Sequence, residues 1–553
     1  MRRLILTVVL LLLSHAAALA QHQDHSHAGA KPIPLISGLG EHHHPVSTTN
    51  AEAQRFFNQG LTFVFAFNHE EAVRSFKRAA ELDPNLAMAH WGVALALGTN
   101  INLAVDAERE KMAYEAAQKA LALAPKASES ERAYITALSK RYTNDSKPDF
   151  NKLEVDYKNA MAELYKRYPY DLDAATLYAE SMMNLRPWQY WGVDGKPAEG
   201  TLEIVAVLEG VLKRDPDHIG ANHYYIHAVE ASPHPEWALT AAQKLKSLTP
   251  AAGHLVHMPA HIDMRVGNFE AAARSNAYAA VADEEHFKSH GEQGMYPLMY
   301  YSHNLHFLAV AHCLQGRYAD AERAARRLEA HLIRHVNDGP MFKAMAPMFD
   351  SFMPTSLLIQ VRFRKWEEIL KAPEPDRRLV VTKAIWHFAR GMAYAATARV
   401  DKAEAELAAF TATGKTLGKD ATYGANKASG VLSIAENTLN ARIATAKNQK
   451  KAAIEFLKKA VEAEDQLSYT EPPDWYIFSR ESLGGALLAD GQYQEAERVF
   501  KADLERNTRN GRSLFGLVES LNAQGKKLDA QLVKKEFDAA WKNADTSLRA
   551  EDL

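Results

Sequence analysis

A short turn motif recurs along this 553-residue chain, and each copy joins two segments of helical composition. In the clearest copies a glycine opens the motif, an aromatic residue stands third and an alanine sixth, as in residues 267–272, 316–321 and 491–496. The flanking segments are rich in Ala with spaced Glu, Lys and Arg, and alternating runs of Val, Ile and Thr are missing from the sequence. The pattern predicts an all-α chain built from helical hairpins.

The stretch from Ala53 to Pro84 is the most complete copy. Gly60 stands where two helices would cross closely, residues 68–72 form the turn, and Phe76 and Ala79 follow on the second helix. This combination resembles a tetratricopeptide repeat, which has a period of about 34 residues and ends in proline. The resemblance implies a solenoid of stacked hairpins, wound as a right-handed superhelix with a concave groove.

Further stretches resemble one family of exported bacterial tetratricopeptide-repeat proteins. They are residues 67–72, 89–102, 257–262 and 471–476. That family has no established biochemical activity. The resemblance therefore implies the fold and export from the cell, and it implies no mechanism.

The first twenty residues have the pattern of a signal peptide. Arg2 and Arg3 precede the apolar run from Leu4 to Leu13, and Ala18-Leu19-Ala20 has the small residues of a cleavage site. The apolar run is shorter than a membrane-spanning helix requires. We therefore expect cleavage after Ala20 and a periplasmic or secreted mature protein.

Residues 21–50 are predicted to form a disordered tail because they are rich in His, Pro and Gly and poor in apolar residues. Such a tail after an export signal either captures Zn, Cu or Ni loosely or is simply a solvated segment. The tail contains His22, His25, His27, His42, His43 and His44.

Composition excludes several classes of partner. The formal net charge is −3, and it becomes −5 when Arg2 and Arg3 are removed, so we expect no nucleic-acid partner. No later segment has the length and hydrophobicity of a membrane span. Cys313 is the single cysteine, which rules out an internal disulfide bond.

Three histidine-containing segments place potential metal ligands along one side of a helix. At about 100° per residue, spacings of three, four and seven residues stay within a narrow arc. If residues 253–266 and 302–315 are first helices of their hairpins, these side chains line the groove. Residues 283–301 would then form an extra connection. The candidate ligands are His223, His227, Glu230, His254, His257, His261, His303 and His306, with Cys313 as a soft donor.

Histidine clusters of this kind suit Zn or Cu. The alternative is structural, since any one buried histidine can simply bond a neighbouring carbonyl or carboxylate group. The metalloprotease motif is not present, because Tyr224 follows His223 where a glutamate is needed. We find neither a phosphate-binding loop nor a nucleophile elbow, so the sequence does not predict an enzyme.

A predicted partner contact follows residues 471–474. Trp475 and Tyr476 would line the groove, and Arg480 would clamp an anion or a carboxylate of the partner. The alternative for Arg480 is a surface ion pair with Asp474 or Glu481.

We expect an exported scaffold that binds a peptide or protein partner in its groove and has a histidine-rich metal site. The alternatives are a metal-dependent hydrolase, in which Glu230 would be a ligand or general base, and a protein of metal storage or delivery. The predicted organisation is a signal peptide (1–20), the tail (21–50), N-terminal repeats (51–125), irregular helical pairs (126–215), histidine-lined repeats (216–330), a helical connector (331–380) and C-terminal repeats (381–553).

Overall fold

The computed structural model describes residues 33–292, 294–336 and 340–553. The predicted signal peptide and the first part of the predicted tail lie outside this range. The chain forms two compact units. The N-terminal unit extends to Ile262 and includes Tyr278–Tyr301, and the C-terminal unit comprises Asp263–Ala277 and Ser302–Leu553.

Helices dominate both units. In chain order the first are α1 (Ala51–Phe65), α2 (His69–Leu82), α3 (Ala87–Leu97), α4 (Ala107–Leu123), α5 (Glu129–Leu138), α6 (Phe150–Arg167), α7 (Leu172–Asn184), α8 (Thr201–Arg214), α9 (Ile219–Val229), α10 (Leu239–Leu248), α11 (Gly253–His257), α12 (Pro259–Arg265) and α13 (Phe269–His290). A π-helical turn, Pro297–Tyr301, follows α13.

The remaining helices are α14 (Ser302–Leu314), α15 (Tyr318–Val336), α16 (Pro340–Phe352), α17 (Thr355–Arg362), α18 (Trp366–Lys371), α19 (Val380–Ala396), α20 (Val400–Gly414), α21 (Ala428–Ala446), α22 (Lys450–Asp465), α23 (Ser479–Ala489), α24 (Tyr493–Arg506), α25 (Gly511–Ala523) and α26 (Lys527–Ala540). One small antiparallel pair, β1 (Thr422–Tyr423) and β2 (Asn426–Lys427), precedes α21, and the sequence did not predict it. The predicted all-α class with repeat-type hairpins is confirmed.

The first hairpin shows why these residues form it. Asn50 and Asn68 cap α1 and α2 by accepting backbone N–H groups at their amino ends. The ring of Phe76 on α2 lies so close to Gly60 on α1 and Gly92 on α3 that a Cβ at either glycine would stand 2.7 or 2.4 Å from it. One aromatic ring thus holds three consecutive helices together, and only glycine leaves it room.

The same packing contact recurs near the carboxyl end of the chain. Phe500 on α24 lies between Gly484 on α23 and Gly516 on α25, where added Cβ atoms would be 2.4 and 2.2 Å from the ring. The Gly–Phe–Gly contact is therefore a packing unit that two hairpins of the chain share.

The region before α1 differs from the prediction of a disordered tail. Ile33 and Leu39 are buried, and the backbone of this segment is bound by glutamine side chains of α1. Gln59 accepts the Ile36 N–H at 2.8 Å and donates to the Pro34 carbonyl at 3.0 Å, while Gln54 accepts the Val46 N–H. Residues 33–50 are ordered because α1 supplies these bonds, which composition alone does not indicate.

The region 126–215, predicted as irregular helical pairs, contains the helices α5–α8, with a long loop between α7 and α8. Two local predictions changed. The predicted helix at 253–266 is divided into α11 and α12 at Pro259, which has no N–H for a helical bond. The predicted connection at 283–301 is largely helical, since α13 continues to His290.

Among the helices of the described ranges, none combines the length and the apolar composition needed to cross a bilayer.

Candidate metal centre

Six side chains of the N-terminal unit meet in its interior, and we call them the inner cluster. His223 and His227 lie on α9, and Glu230 follows its last residue. The other members are His254 and His257 on α11 and His261 on α12. None of the six is more than 2% exposed. The sequence spacing had indicated a shared direction, and folding brings the members of different helices together.

Ring nitrogens of His223, His227 and His254 lie within 4.8 Å of one another. The Nε2 atoms of His223 and His254 are 3.2 Å apart. Two nitrogens bound at roughly 2.0–2.1 Å to one tetrahedral zinc ion are about 3.3 Å apart. The spacing of this pair therefore suits two ligands of one ion. A second pair, Nε2 of His257 and Nε2 of His261, is 2.9 Å apart.

The opposite nitrogens of three rings are bound to oxygen. The Nδ1 atom of His223 is 2.6 Å from the carbonyl oxygen of Phe65. The Nδ1 atoms of His227 and His261 are each 2.6 Å from one oxygen of Glu230. Because carbonyl and carboxylate oxygens accept only, each Nδ1 carries a proton, and in a neutral ring the lone pair then lies on Nε2. Histidines that bind metals are oriented in this way.

The protonation states of these side chains also favour metal binding. Burial lowers the pKa of His223 well below its usual value, and it lowers the pKa of His227 although Glu230 opposes the shift. Burial alone would raise the pKa of Glu230, but the charge of His261 and the hydrogen bonds from His227 and His261 hold that pKa far below its usual value. His223 and His227 are therefore neutral imidazoles beside an ionised carboxylate, and a neutral imidazole is the state that a metal ligand requires.

Aromatic rings enclose the inner cluster. The ring of Phe67 lies 4.6 Å from His223, 5.5 Å from His254 and 5.9 Å from His227, measured between ring centroids. Tyr300 packs on His254 at 4.7 Å and Trp188 on His227 at 5.1 Å. These contacts restrict the imidazole rotamers and keep the surroundings apolar.

A further polar chain holds the backbone of α11. The N–H of His254 donates to the hydroxyl of Tyr296 at 2.9 Å, and that hydroxyl donates to Asp283 at 2.9 Å. Asp283 leaves no room for a side chain at position 253, where an added Cβ would stand 1.9 Å from its oxygen. Gly253 thus lets α11 approach closely enough to place His254 among its partners.

The predicted ligands His303 and His306 belong to the C-terminal unit. His303 is half-buried, with its ring edge against Phe307. His306 packs on Phe352 and Tyr476, and burial lowers its pKa to about 4. Within the described ranges, no group of three potential ligands includes His306. Aromatic packing thus explains His306. Cys313 is fully buried, and burial raises its pKa to about 12.

The predicted partner contact is wrong for Trp475 and Tyr476, and Arg480 forms an ion pair within the chain. Trp475 and Tyr476 are only 1% exposed, and the Tyr476 hydroxyl donates to the Thr355 carbonyl inside the C-terminal unit. The two terminal nitrogens of Arg480 bind the two oxygens of Asp465, each at 2.7 Å. Neither of the surface pairs considered for Arg480 forms. The aromatic residues are core, and the guanidinium is already occupied.

Sequence reasoning missed a second group of histidines in the N-terminal unit, which we call the outer cluster. It consists of His42, His44 and His218 around Asp173. The run of histidines at 42–44 was visible in the sequence, but its assignment to a disordered tail concealed its partner. Nothing local links these positions to residues 173 and 218.

Comparison with known proteins identifies one repeat of a known type in this chain. A family model described as tetratricopeptide repeat matches residues 53–86. Yeast Tom70 is 13% identical, with 90% of this chain and 93% of that chain covered and a TM-score of 0.30. The Cut9–Hcn1 hetero-tetramer of the APC/C gives 12% identity, coverages of 91% and 96% and a TM-score of 0.29.

A human IFIT1 dimer with m7Gppp-AAAA gives 13% identity, coverages of 91% and 92% and a TM-score of 0.32. No curated protein matches the chain. The chain is an all-α protein of helical hairpins that contains a tetratricopeptide repeat at residues 53–86.

Proposed function

We propose that this chain is a tetratricopeptide-type scaffold that holds a divalent transition-metal ion in the inner cluster of its N-terminal unit. One observation carries the proposal. His223 and His227 commit Nδ1 to oxygen acceptors, so that the lone pair of each neutral ring lies on Nε2, where it can bind a cation. The ligands we assign are His223, His227 and His254.

A purely structural role explains the inner cluster less well. The Nε2 atom of His227 is buried and has no hydrogen-bond partner in the described structure. Leaving a buried polar atom unsatisfied costs about 1–3 kcal/mol. A metal bond to this nitrogen removes that cost, whereas the structural alternative leaves it in place.

Glu230 orients ligands rather than binding the ion itself. Each of its oxygens accepts a hydrogen bond from a histidine, one from His227 and one from His261. It is therefore neither well placed as a ligand nor available as the general base of a hydrolase. Burial of all six side chains also favours an ion that is held over one that meets a substrate.

Zinc fits the donor set best, since three histidine nitrogens within 4.8 Å of one another are a common environment for it. Copper is the alternative, because imidazole suits it as well. The nitrogen spacing of 3.2 Å between His223 and His254 supports a tetrahedral ion.

Elemental analysis of the full chain after zinc loading and dialysis tests this proposal. We expect the variant His223→Ala/His227→Ala to lose one ion per chain compared with the unmodified chain. His234→Ala is the matched control, because His234 is an exposed histidine that contacts Glu236 close to the same helix. Equal zinc content in the double variant and the control would contradict the proposal.

A second function is favoured by the repeat at residues 53–86. Tetratricopeptide arrays commonly bind peptides or proteins through their stacked hairpins. We propose a protein partner for this chain as well. Peptides selected from a random library should bind the full chain with a 1:1 stoichiometry in calorimetry. If no selected peptide binds above the level of a scrambled sequence, the scaffold has no peptide partner of this kind.

We further propose that the chain is a bacterial protein exported to the periplasm or the medium. The support is the sequence pattern of residues 1–20. The histidines of residues 21–32 would then face an extracytoplasmic metal pool and could deliver ions to the scaffold. Mass spectrometry of the protein from fractionated cells should find Gln21 at the amino terminus. An intact Met1 in the cytosolic fraction would contradict export.

A further inference from the structure

The outer cluster joins three separate parts of the N-terminal unit. His42 and His44 come from the extended segment before α1, Asp173 lies in the first turn of α7, and His218 is the residue that caps α9. The side chains of His42 and Asp173 are each 9% exposed and that of His218 is 2% exposed. The carboxylate of Asp173 is thus surrounded by imidazoles.

Two ring nitrogens approach the same carboxylate oxygen. Nε2 of His42 is 3.0 Å and Nε2 of His218 is 3.2 Å from Oδ1 of Asp173, and all three atoms lie within 4.8 Å of one another. Yet in the described structure none of these three atoms makes a hydrogen bond of good geometry. Three potential donors to a metal therefore converge without satisfying one another.

The cluster lies at a cavity of about 820 Å³. Pockets of roughly 300–1,000 Å³ are typical of ligand sites. No lysine or arginine occurs among the described residues that line it, and the negative charge attracts cations. Besides Asp173, the acidic residues of the lining are Glu41, Glu131, Asp171, Asp215 and Asp217.

We propose that the outer cluster is a second transition-metal site, separate from the inner cluster and open to solvent through this cavity. Nε2 of His42, Nε2 of His218 and Oδ1 of Asp173 are its ligands, and water fills the coordination positions that face the cavity. Three protein ligands with an open position are the arrangement found in catalytic zinc sites. His44 orients the carboxylate, since its Nδ1 donates to Oδ2 of Asp173 at 2.7 Å.

Binding a metal ion through His218 requires the loss of a hydrogen bond. Its Nδ1 accepts the N–H of Ala221 at 3.1 Å, so in the metal-free protein the ring proton lies on Nε2. To bind an ion through Nε2, the ring must move that proton to Nδ1 and give up the capping bond of α9. One capping bond is small beside the bonds to a metal ion, but its loss makes this site weaker than the inner one.

Metal at the outer cluster also fixes the segment before α1. His42 belongs to that segment, whereas Asp173 and His218 belong to α7 and α9. An ion shared by the three therefore ties residues 33–50 to the helices. Zinc should slow hydrogen exchange in residues 33–50, and this readout does not depend on any activity.

Zinc counting in four versions of the full chain tests the proposal. We expect two ions in the unmodified chain, one in His42→Ala, one in His223→Ala/His227→Ala and none when these changes are combined. His43→Ala is the matched control with two ions, because the adjacent ring of His43 contacts Asn58 instead of Asp173. Asp173→Asn is a second variant that removes the carboxylate charge while keeping the shape of the side chain.

The outcomes separate the two proposals. One ion in both the unmodified chain and His42→Ala, and none in His223→Ala/His227→Ala, overturns the outer site alone. One ion in the unmodified chain and none in His42→Ala overturns the inner site and leaves the outer one. Zinc-dependent exchange protection of residues 33–50 that persists unchanged in His42→Ala and in Asp173→Asn also overturns the outer site.

Discussion

The inner and outer clusters lie in the same unit and use the same residue types. Their ring nitrogens, however, have different hydrogen-bond partners. In the inner cluster, Nδ1 of His223 and of His227 faces an oxygen acceptor, and Nε2 is left with its lone pair. In the outer cluster, Nδ1 of His218 accepts a backbone N–H, and the proton must lie on Nε2. The acceptors around a histidine, more than the number of histidines, decide whether it is ready to bind a metal.

The two clusters also differ in their access to solvent. The inner cluster is enclosed by Phe67, Trp188 and Tyr300, whereas the outer cluster borders a cavity of about 820 Å³. An ion in the first is held by preoriented ligands and exchanges slowly. An ion in the second must displace a proton and can meet solutes. The comparison therefore predicts a tight interior ion and a weaker accessible one.

The largest effect should come from Glu230→Gln. A glutamine can accept from only one of His227 and His261, and its NH₂ group opposes the other ring N–H. Loss of such an orienting partner typically lowers metal affinity by about 10–100-fold. Competition with a chromophoric chelator should show this loss at the inner ion and no change at the outer ion. An unchanged zinc affinity of the inner cluster would show that Glu230 does not orient its ligands, and the contrast between the two clusters would lose its basis.

Acidification should remove the outer ion first. Burial lowers the pKa of His44, but its hydrogen bond to Asp173 and the charge of that residue outweigh burial, and the pKa is raised. As pH falls through that raised pKa, His44 becomes cationic beside the outer ligands and opposes the metal. The pKa values of His223 and His227 are lowered, so these ligands stay neutral to lower pH.

Each proton that must be displaced changes metal affinity by about tenfold per pH unit. Zinc titrations between about pH 7.5 and 5.5 should therefore show a steeper loss at the outer site. The variant His223→Ala/His227→Ala isolates the outer ion, and His42→Ala isolates the inner one. If zinc affinity fell equally steeply with pH in the two variants, the hydrogen-bond partners of the ring nitrogens would not determine the pH dependence.

The smallest effect separates the two roles of His218. His218→Asn should abolish the outer ion while keeping a cap on α9, because asparagine is among the best residues at this position. His218→Ala should abolish the ion and also lower the free energy of unfolding by about 1 kcal/mol. Urea unfolding of both metal-free variants measures the difference. If both bind zinc like the unmodified chain, His218 is not a ligand.

Much of the fold could be predicted because its determinants are local. Gly60 and Phe76 are close in sequence, and their contact repeats as Gly484 and Phe500. The spacing of His223 with His227 and of His257 with His261 also follows from the helix alone. These residues share a face wherever the helix is placed.

The errors arose where burial depends on distant parts of the chain. Trp475 and Tyr476 follow a proline-rich loop, which favours exposure, but they are buried within the C-terminal unit. His306 has ligand spacing, yet Phe352 and Tyr476 surround it. Residues 33–50 have the composition of a disordered segment, but the side chains of α1 satisfy their backbone. Local sequence does not contain these partners.

The sequence by itself determined that the chain is helical, that its hairpins repeat and that several histidines share helix faces, because each property depends on neighbours within a few turns. Only the tertiary structure decided which oxygen atoms face which ring nitrogens, and so separated an inner cluster oriented by Glu230 from an outer one gathered around Asp173. The physical reason is that a histidine's proton lies where its hydrogen-bond acceptor is, and those acceptors come from distant parts of the chain.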